Sequence, residues 1–461
     1  MAIQKTISPV DGSVYVEREL ADPAQVEATL ERAVAAQRKW RETSLAERVR
    51  LCSRMVDAFV ARRDELALEL TWQMGRPIAV AGGEIGGFED RARTMIAMAE
   101  AALAPIRLAD KPGFTRYITR EPLGVSFIVA PWNFPFMTAV NAVVPAIMAG
   151  NAVILKHSAQ TPLCAERIQQ AFDEAGLPAG VFQHLHLAHD AAEAVIRDAR
   201  IAHVSFTGSV AGGAMVERNA AGRFIATGLE LGGKDPAYIR ADVNLDEAVP
   251  GVMDGAFFNS GQSCCGIERI YVHESIFDDF VERAVAWVRQ LKLGNPTDPA
   301  TTLGPLVRPS AADFVRGQIE EAVAAGARAW IDPGDYPLSR PGSAYLAPQV
   351  LTEVDHSMRV MHEESFGPVV GIMPVADDDA AVRLMNDSDF GLTAAVYTRD
   401  LAAGEAIARR LEAGTVFTNR CDYLDPELAW TGVKQSGRGC SLSRVGYETL
   451  TRPKSFHLKH A

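Results

Sequence analysis

The chain has 461 residues, 48% of them hydrophobic and 23% charged, a balance that fits a soluble globular protein of two or three domains. That composition excludes a disordered, collagen-like or disulfide-scaffold protein. A net charge of −12 argues against nucleic acid as a general partner.

The first hundred residues read as mostly helical. Apolar residues recur at three- and four-residue spacing over Ala21–Trp40 and over Leu45–Met74, where Gly75-Arg76-Pro77 closes the run. Gly82, Gly83, Gly86 and Gly87 look like a phosphate loop. No strand precedes them and a helical pattern surrounds them, which predicts close packing or a helix irregularity. Phe114–Thr119 has strand composition. Pro122 to Leu155 carries no charge and is long enough to span a membrane. Its interior prolines Pro131, Pro135 and Pro145 each cost a helix about 3 kcal/mol. The segment is therefore expected to be a buried strand, an irregular loop, a buried helix and a second buried strand. Strands are expected at Val125–Ala130, Val153–Leu155 and Val204–Phe206, with a helix over Leu163–Ala175. Alternating strands and helices mean a parallel sheet. A second alternation follows Gly232-Gly233. It has strands at Ile270–Val272, Val369–Met373, Ala394–Tyr397 and Thr415–Thr418, and a helix that starts near Phe277. Residues 331–343 read as a surface loop. The fold class is α/β, in two halves that meet near Leu231 to Gly233.

The six cysteines, Cys52, Cys164, Cys264, Cys265, Cys421 and Cys440, are scattered, so neither a disulfide framework nor a metal site is expected. The opening residues lack the apolar stretch of a signal peptide, and a cytoplasmic location with no membrane partner is expected.

Six segments carry chemistry. In Gly261-Gln262-Ser263-Cys264-Cys265-Gly266, small residues flank two thiols and permit close approach of an electrophile; buried structural cysteines are the alternative. Glu230 sits in an apolar stretch before Gly232-Gly233-Lys234. Desolvation there would raise its pKa and suit a general base, unless it simply pairs with Lys234. Pro131-Trp132-Asn133-Phe134-Pro135 ends a strand and offers Asn133 as a neutral donor to an oxyanion. Phe206-Thr207-Gly208-Ser209, with Gly213 beyond, follows a strand and opens a helix, as a pyrophosphate turn does. Glu363-Glu364-Ser365-Phe366 places an acidic pair where ribose hydroxyls could bind. Lys156 follows a buried strand, an odd place for a charge unless it meets a ligand or a carboxylate.

Together these segments resemble the aldehyde dehydrogenase family. PWNFP at 131–135, LK at 155–156, FTGS at 206–209, ELGGK at 230–234, GQSCCG at 261–266, EESFGPV at 363–369 and GVKQSGRG at 432–439 stand in the family's order across nearly the whole chain. The 34-residue spacing from Glu230 to Cys264 also fits. The resemblance implies Cys264 as nucleophile, rather than Cys265, Glu230 as the base that hydrolyses a thioester, and Asn133 as oxyanion donor. It implies NAD or NADP as cofactor, held by Trp132, Lys156, Gly208, Ser209, Gly213, Leu231, Glu364 and Phe366. It implies a substrate pocket of Phe134, Met137, Asn141, Phe258, Cys265, Arg420, Asp422, Tyr423 and Trp430. Two Rossmann-like domains are implied: a cofactor domain of residues 1–103 and 123–231, to which 436–450 returns, and a catalytic domain of 232–435. Strands at 104–122 and 451–461 would bridge subunits of a homodimer or homotetramer. The substrate is a small aldehyde. Arg420 would favour a semialdehyde, whereas Asp422 with Tyr423 and Trp430 would favour a cationic or aromatic one, unless Arg420 and Asp422 pair with each other and face away. The presence of Glu230 favours hydrolysis over transfer to coenzyme A; a coenzyme A-acylating enzyme and a non-catalytic member with a structural or binding role are the alternatives. Ala159 stands where NAD-preferring members often carry a Glu, so NADP is expected to be tolerated.

Overall fold

A computed structural model describes residues 2–461. Two largely parallel sheets organise it. The first runs Gly437–Arg438, Ala226–Glu230, Ile201–Thr207, Val125–Ala130, Ala152–His157 and Phe182–His184, parallel except for its first member. Chain order reverses between Val125–Ala130 and Ile201–Thr207, the switch point at which open α/β sheets bind ligands at strand C-termini. The loops that begin at Pro131 and Gly208 leave from there. The second sheet runs Arg328–Ala329, Gln349–Thr352, Val369–Val375, Ile267–His273, Asp235–Ile239, Thr393–Tyr397 and Thr415–Thr418. Residues 230–234, 264–265 and 364–368 lie at the N-terminal ends of its strands. The motifs therefore meet between the C-terminal edge of one sheet and the N-terminal edge of the other. A third, three-stranded sheet pairs Phe114–Pro122 with Thr451–Lys459 and Ile106–Arg107.

The uncharged stretch folds as expected. Val125–Ala130 and Ala152–His157 flank the helix Pro135–Met148, and almost every side chain of the three is buried. No helix is long and apolar enough to cross a membrane among the described residues. The glycine cluster lies inside the helix Ile78–Leu103, and a Cβ at Gly87 would come within 2.1 Å of the Met137 sulfur. Close packing is the reason for that glycine.

The first hundred residues are mostly helical, as expected, but an antiparallel hairpin of Ile3–Ile7 with Val14–Glu19 precedes the helices. Leu45–Met74 is two helices, Leu45–Val60 and Arg63–Met74, broken where Arg62 leaves helical geometry at φ −104°, ψ 19°. The apolar spacing persists on both sides of the break because both helices bury a face. Periodicity reports the buried face and not a bend in the axis.

Candidate active site

The loop that carries the two thiols is held by its backbone. Asn259, Ser260 and Gly261 all adopt left-handed geometry, with φ of 53°, 58° and 71°. At Gly261 only glycine fits, because a Cβ would lie 2.2 Å from the Gly367 carbonyl oxygen. Buried polar contacts hold the strained turn in place. Gln262 Nε2 donates to Asn259 O at 3.1 Å, and its Oε1 accepts from Val307 N at 2.8 Å. Asn259 Nδ2 donates to Gln262 O at 3.1 Å.

Asn133 is joined to the same turn. Its Nδ2 donates to Gln262 O at 3.2 Å, two residues before Cys264, and its own carbonyl accepts from Asn259 Nδ2 and Arg76. Arg76 is the hub of this junction, and nothing in the sequence marked it as more than a helix terminus. It is fully buried, pairs with Glu84, donates to Asn259 Oδ1 at 3.1 Å and lies 4.4 Å from the Phe134 ring centroid. Glu84 in turn accepts from the N–H groups of Phe136 and Met137, each at 3.0 Å. The carboxylate caps the free donors at the start of the helix Pro135–Met148.

The two thiols face different surroundings. Cys264 is partly exposed, whereas Cys265 is buried. Cys265 donates to Asp422 Oδ1 at 3.0 Å. Its contact with Cys264, its burial and the nearby Asp422 carboxyl push its thiol well above the usual range. It is held as a thiol, and the thiolate is the nucleophilic form. Glu230 ends its strand with Oε2 accepting from Thr207 at 3.3 Å and Oε1 accepting from Ser441. Burial raises its pKa, and the hydroxyls of Ser441 and Thr207 together with the Arg91 charge oppose the rise. It does not pair with Lys234, whose ammonium is committed to Glu268 and Ser365.

A cavity of about 350 Å³ joins these groups. Cys264, Cys265, Glu230, Phe134, Met137, Asn141, Phe258, Asp422, Tyr423 and Trp430 all line it. Arg420 does not. Its guanidinium stacks 3.3 Å from the Tyr423 ring centroid on the exposed rim, and the expectation that it enters the pocket is wrong. Nor does Asp422 present a free charge: it accepts from Ser263 at 2.8 Å and from Cys265, and burial raises its pKa. The cation inside the cavity is Arg91. It is buried, and its Nη1 donates to Met137 O at 2.9 Å and to Asn141 Oδ1 at 3.3 Å. Asn141 Nδ2 is buried with no partner among the described residues. In sequence Arg91 looks like any other charge on an amphipathic helix.

The residues expected to hold the cofactor gather at the switch point. Lys156 is buried, burial lowers its pKa, and no ion pair or hydrogen bond is recorded for its ammonium among the described residues. A buried cation without a partner fits a ligand's hydroxyls or phosphates. Ser209 caps the helix Val210–Ala220 by accepting from Gly212 N at 3.2 Å. A Cβ at Gly213 would lie 2.7 Å from both Leu231 methyls. Across the gap, Glu364 accepts from Gly233 N at 3.0 Å. Burial and repulsion from Glu268 raise its pKa to about 7. Phe366 meets Trp132 edge-on, with centroids 5.6 Å apart. Glu268 organises this loop by accepting from Ser365 N and Phe366 N, both at 2.8 Å, and from Lys234. Its only signal in the sequence is a charge inside an apolar strand. The groups present fit a dinucleotide: a free buried cation and a helix N-terminus behind a glycine turn as donors, and a carboxylate opposite as acceptor.

Comparisons with known proteins identify the family. Residues 2–456 match the model of the aldehyde dehydrogenase family. The chain belongs to that family. Its sequence is 38% identical, over 98% of both chains, to the NADP(+) succinate-semialdehyde dehydrogenase 1 of Mycobacterium tuberculosis. It is 36% identical to the NAD(P)+ succinate semialdehyde dehydrogenase Sad of Escherichia coli, over 96% of this chain and 95% of that one. The solved succinic semialdehyde dehydrogenase of Streptococcus pyogenes in complex with NADP+ superposes with a TM-score of 0.94, at 29% identity, covering 99% of this chain and all of the other. This aldehyde dehydrogenase is an NAD(P)-dependent oxidoreductase that converts an aldehyde to a carboxylic acid.

Proposed function

We propose that the chain oxidises a semialdehyde that carries a carboxylate, succinate semialdehyde being the first candidate, with NADP accepted as well as NAD. The observation that carries the reading is the pair of donors in the cavity wall: the Arg91 guanidinium and the unpartnered Asn141 amide. A carboxylate satisfies both, and the resulting charge-assisted bonds are the strong kind. The names of the relatives point the same way.

In this reading Cys264 attacks the aldehyde carbon. Asn133 Nδ2 and the Cys264 backbone N–H hold the oxyanion. Bound cofactor supplies the hydride acceptor. Glu230 takes a proton from water, which then attacks the Cys264 thioester and releases the acid. Lys156 and Glu364 would hold the two riboses, Ser209 with Gly208 and Gly213 the pyrophosphate, and Leu231, Trp132 and Phe366 would bound the nicotinamide. Acceptance of NADP is supported by Ala159. Its carbonyl takes a hydrogen bond from Thr6 at 2.8 Å, and its methyl offers no charge to repel a 2′-phosphate.

The division of labour follows the sheets. Residues 1–103, 123–231 and 436–450 serve the cofactor, 232–435 the catalytic half, and 104–122 with 451–461 the assembly. The nine-residue strand Thr451–Lys459 lies at the edge of its sheet, with one side open for pairing with another copy in a homodimer or homotetramer. A cytoplasmic setting suits six free thiols.

The test is reduced-cofactor formation with NAD and with NADP across succinate semialdehyde, betaine aldehyde, benzaldehyde and butanal. Preference for the acidic member supports the reading. Preference for an uncharged or cationic member removes it.

A further inference from the structure

We propose that Ser441 is a positioning residue for the hydrolytic half of the reaction. Its hydroxyl fixes the Glu230 carboxylate at the wall between two cavities, facing a water admitted from the smaller one. The inference rests on Glu230 being the general base.

Glu230 lines two spaces. One is the cavity that holds Cys264. The other, behind it, has a volume of about 30 Å³ and is also lined by Ser441, Thr207, Cys440 and Thr449. That is room for a water with polar partners on several sides. The two hydroxyls divide the carboxylate between them: Ser441 donates to Oε1 and Thr207 to Oε2. Each oxygen keeps a lone pair for a water proton. Ser441 is itself held by the chain, since it exchanges backbone hydrogen bonds with Trp430, both at 2.9 Å. Its backbone is thus fixed on both sides, at Trp430 and through Gly437–Arg438, which pair with the strand that carries Glu230.

The charged and titratable groups that face Glu230 are few. Arg91 approaches from the helix Ile78–Leu103, Cys264 from the larger cavity and Cys440 from the C-terminal segment. Arg438 lines the smaller cavity, but its guanidinium is committed to Thr227 and Glu217. Burial raises the carboxyl, and among the groups that oppose it Ser441 comes first. Removing the hydroxyl leaves Glu230 more readily protonated and held by Thr207 alone. Attack by Cys264 does not use it and proceeds as before.

The experiment compares the full-length protein with Ser441→Ala, Ser441→Thr and Glu230→Gln, using rapid mixing with succinate semialdehyde and NADP. Melting temperatures are read in parallel. In Ser441→Ala the burst keeps its wild-type amplitude and the steady rate at pH 7 falls about tenfold. The acid limb of the kcat profile moves up by about one pH unit. Ser441→Thr, which keeps the hydroxyl, restores rate and profile. A wild-type rate and profile in Ser441→Ala, beside a slow Glu230→Gln, overturns the role of Ser441 alone. Normal turnover in Glu230→Gln removes the base assignment and this inference with it.

Discussion

The floor of the substrate cavity and its rim are built differently. The floor is the turn 259–265 against the loop 131–135, tied together by the buried pair Arg76–Glu84 and by amide side chains that bond backbone. The rim is the segment 419–424. It includes two left-handed residues, Asn419 and Asp422, and Arg420 lies on Tyr423 in the open. Chemistry sits where geometry is fixed by many buried contacts. The rim instead carries an exposed cation that faces away from the cavity, beside Asp422, which Ser263 and Cys265 hold. Substitutions on the two sides should therefore differ sharply in size.

The largest effect is expected at the floor. Glu84→Gln leaves Arg76 buried and unpaired, and should cost about 3–5 kcal/mol in denaturant unfolding. A loss below 1 kcal/mol would show that the pair does not hold the floor together. Next is Arg91→Met. If Arg91 holds the substrate carboxylate, kcat/KM for succinate semialdehyde should drop about 100-fold while butanal turnover changes little, because only the first substrate loses a charge-assisted bond. Equal losses on both substrates would make Arg91 a packing residue.

A smaller effect concerns pH. Glu364 has its pKa raised to about 7, above the usual carboxylate value. Its contribution to folding stability is then complete at low pH and is lost as pH rises through about 7. Binding of ribose hydroxyls uses the ionised form and has the opposite trend. NADP affinity should weaken several-fold from pH 8 to pH 6, while this group's share of stability grows. Glu364→Gln should flatten both trends, as titration calorimetry and thermal melts can show. The smallest effect belongs to the rim: Arg420→Ala should change stability by less than about 1 kcal/mol and leave kcat/KM near wild type.

The same contrast explains what was legible in the sequence. Motifs at the floor could be read because the backbone there admits few residues. Gly261 is the clearest case, since any side chain meets Gly367. Strands such as Val125–Ala130 could be read because both faces are buried and the run is uncharged. Arg91, Glu268 and Ser441 could not. Each matters through a partner far along the chain, Asn141 at 50 positions, Ser365 at 97 and Glu230 at 211. Arg420 and Arg91 are the same residue type on either side of one cavity. Sequence cannot tell them apart, because stacking on Tyr423 turns one outward and a carbonyl with an amide draws the other in. The N-terminal hairpin was missed because its strands are short and half-exposed, so their alternation is weak.

The most direct measurement is the pre-steady-state burst of reduced cofactor in Cys264→Ala and in Cys265→Ala, with succinate semialdehyde as substrate. A partly exposed thiol at 264 beside a proton-bound one at 265 predicts no burst in the first variant and a retained burst in the second. A burst that survives in Cys264→Ala and vanishes in Cys265→Ala would contradict the assignment of the nucleophile.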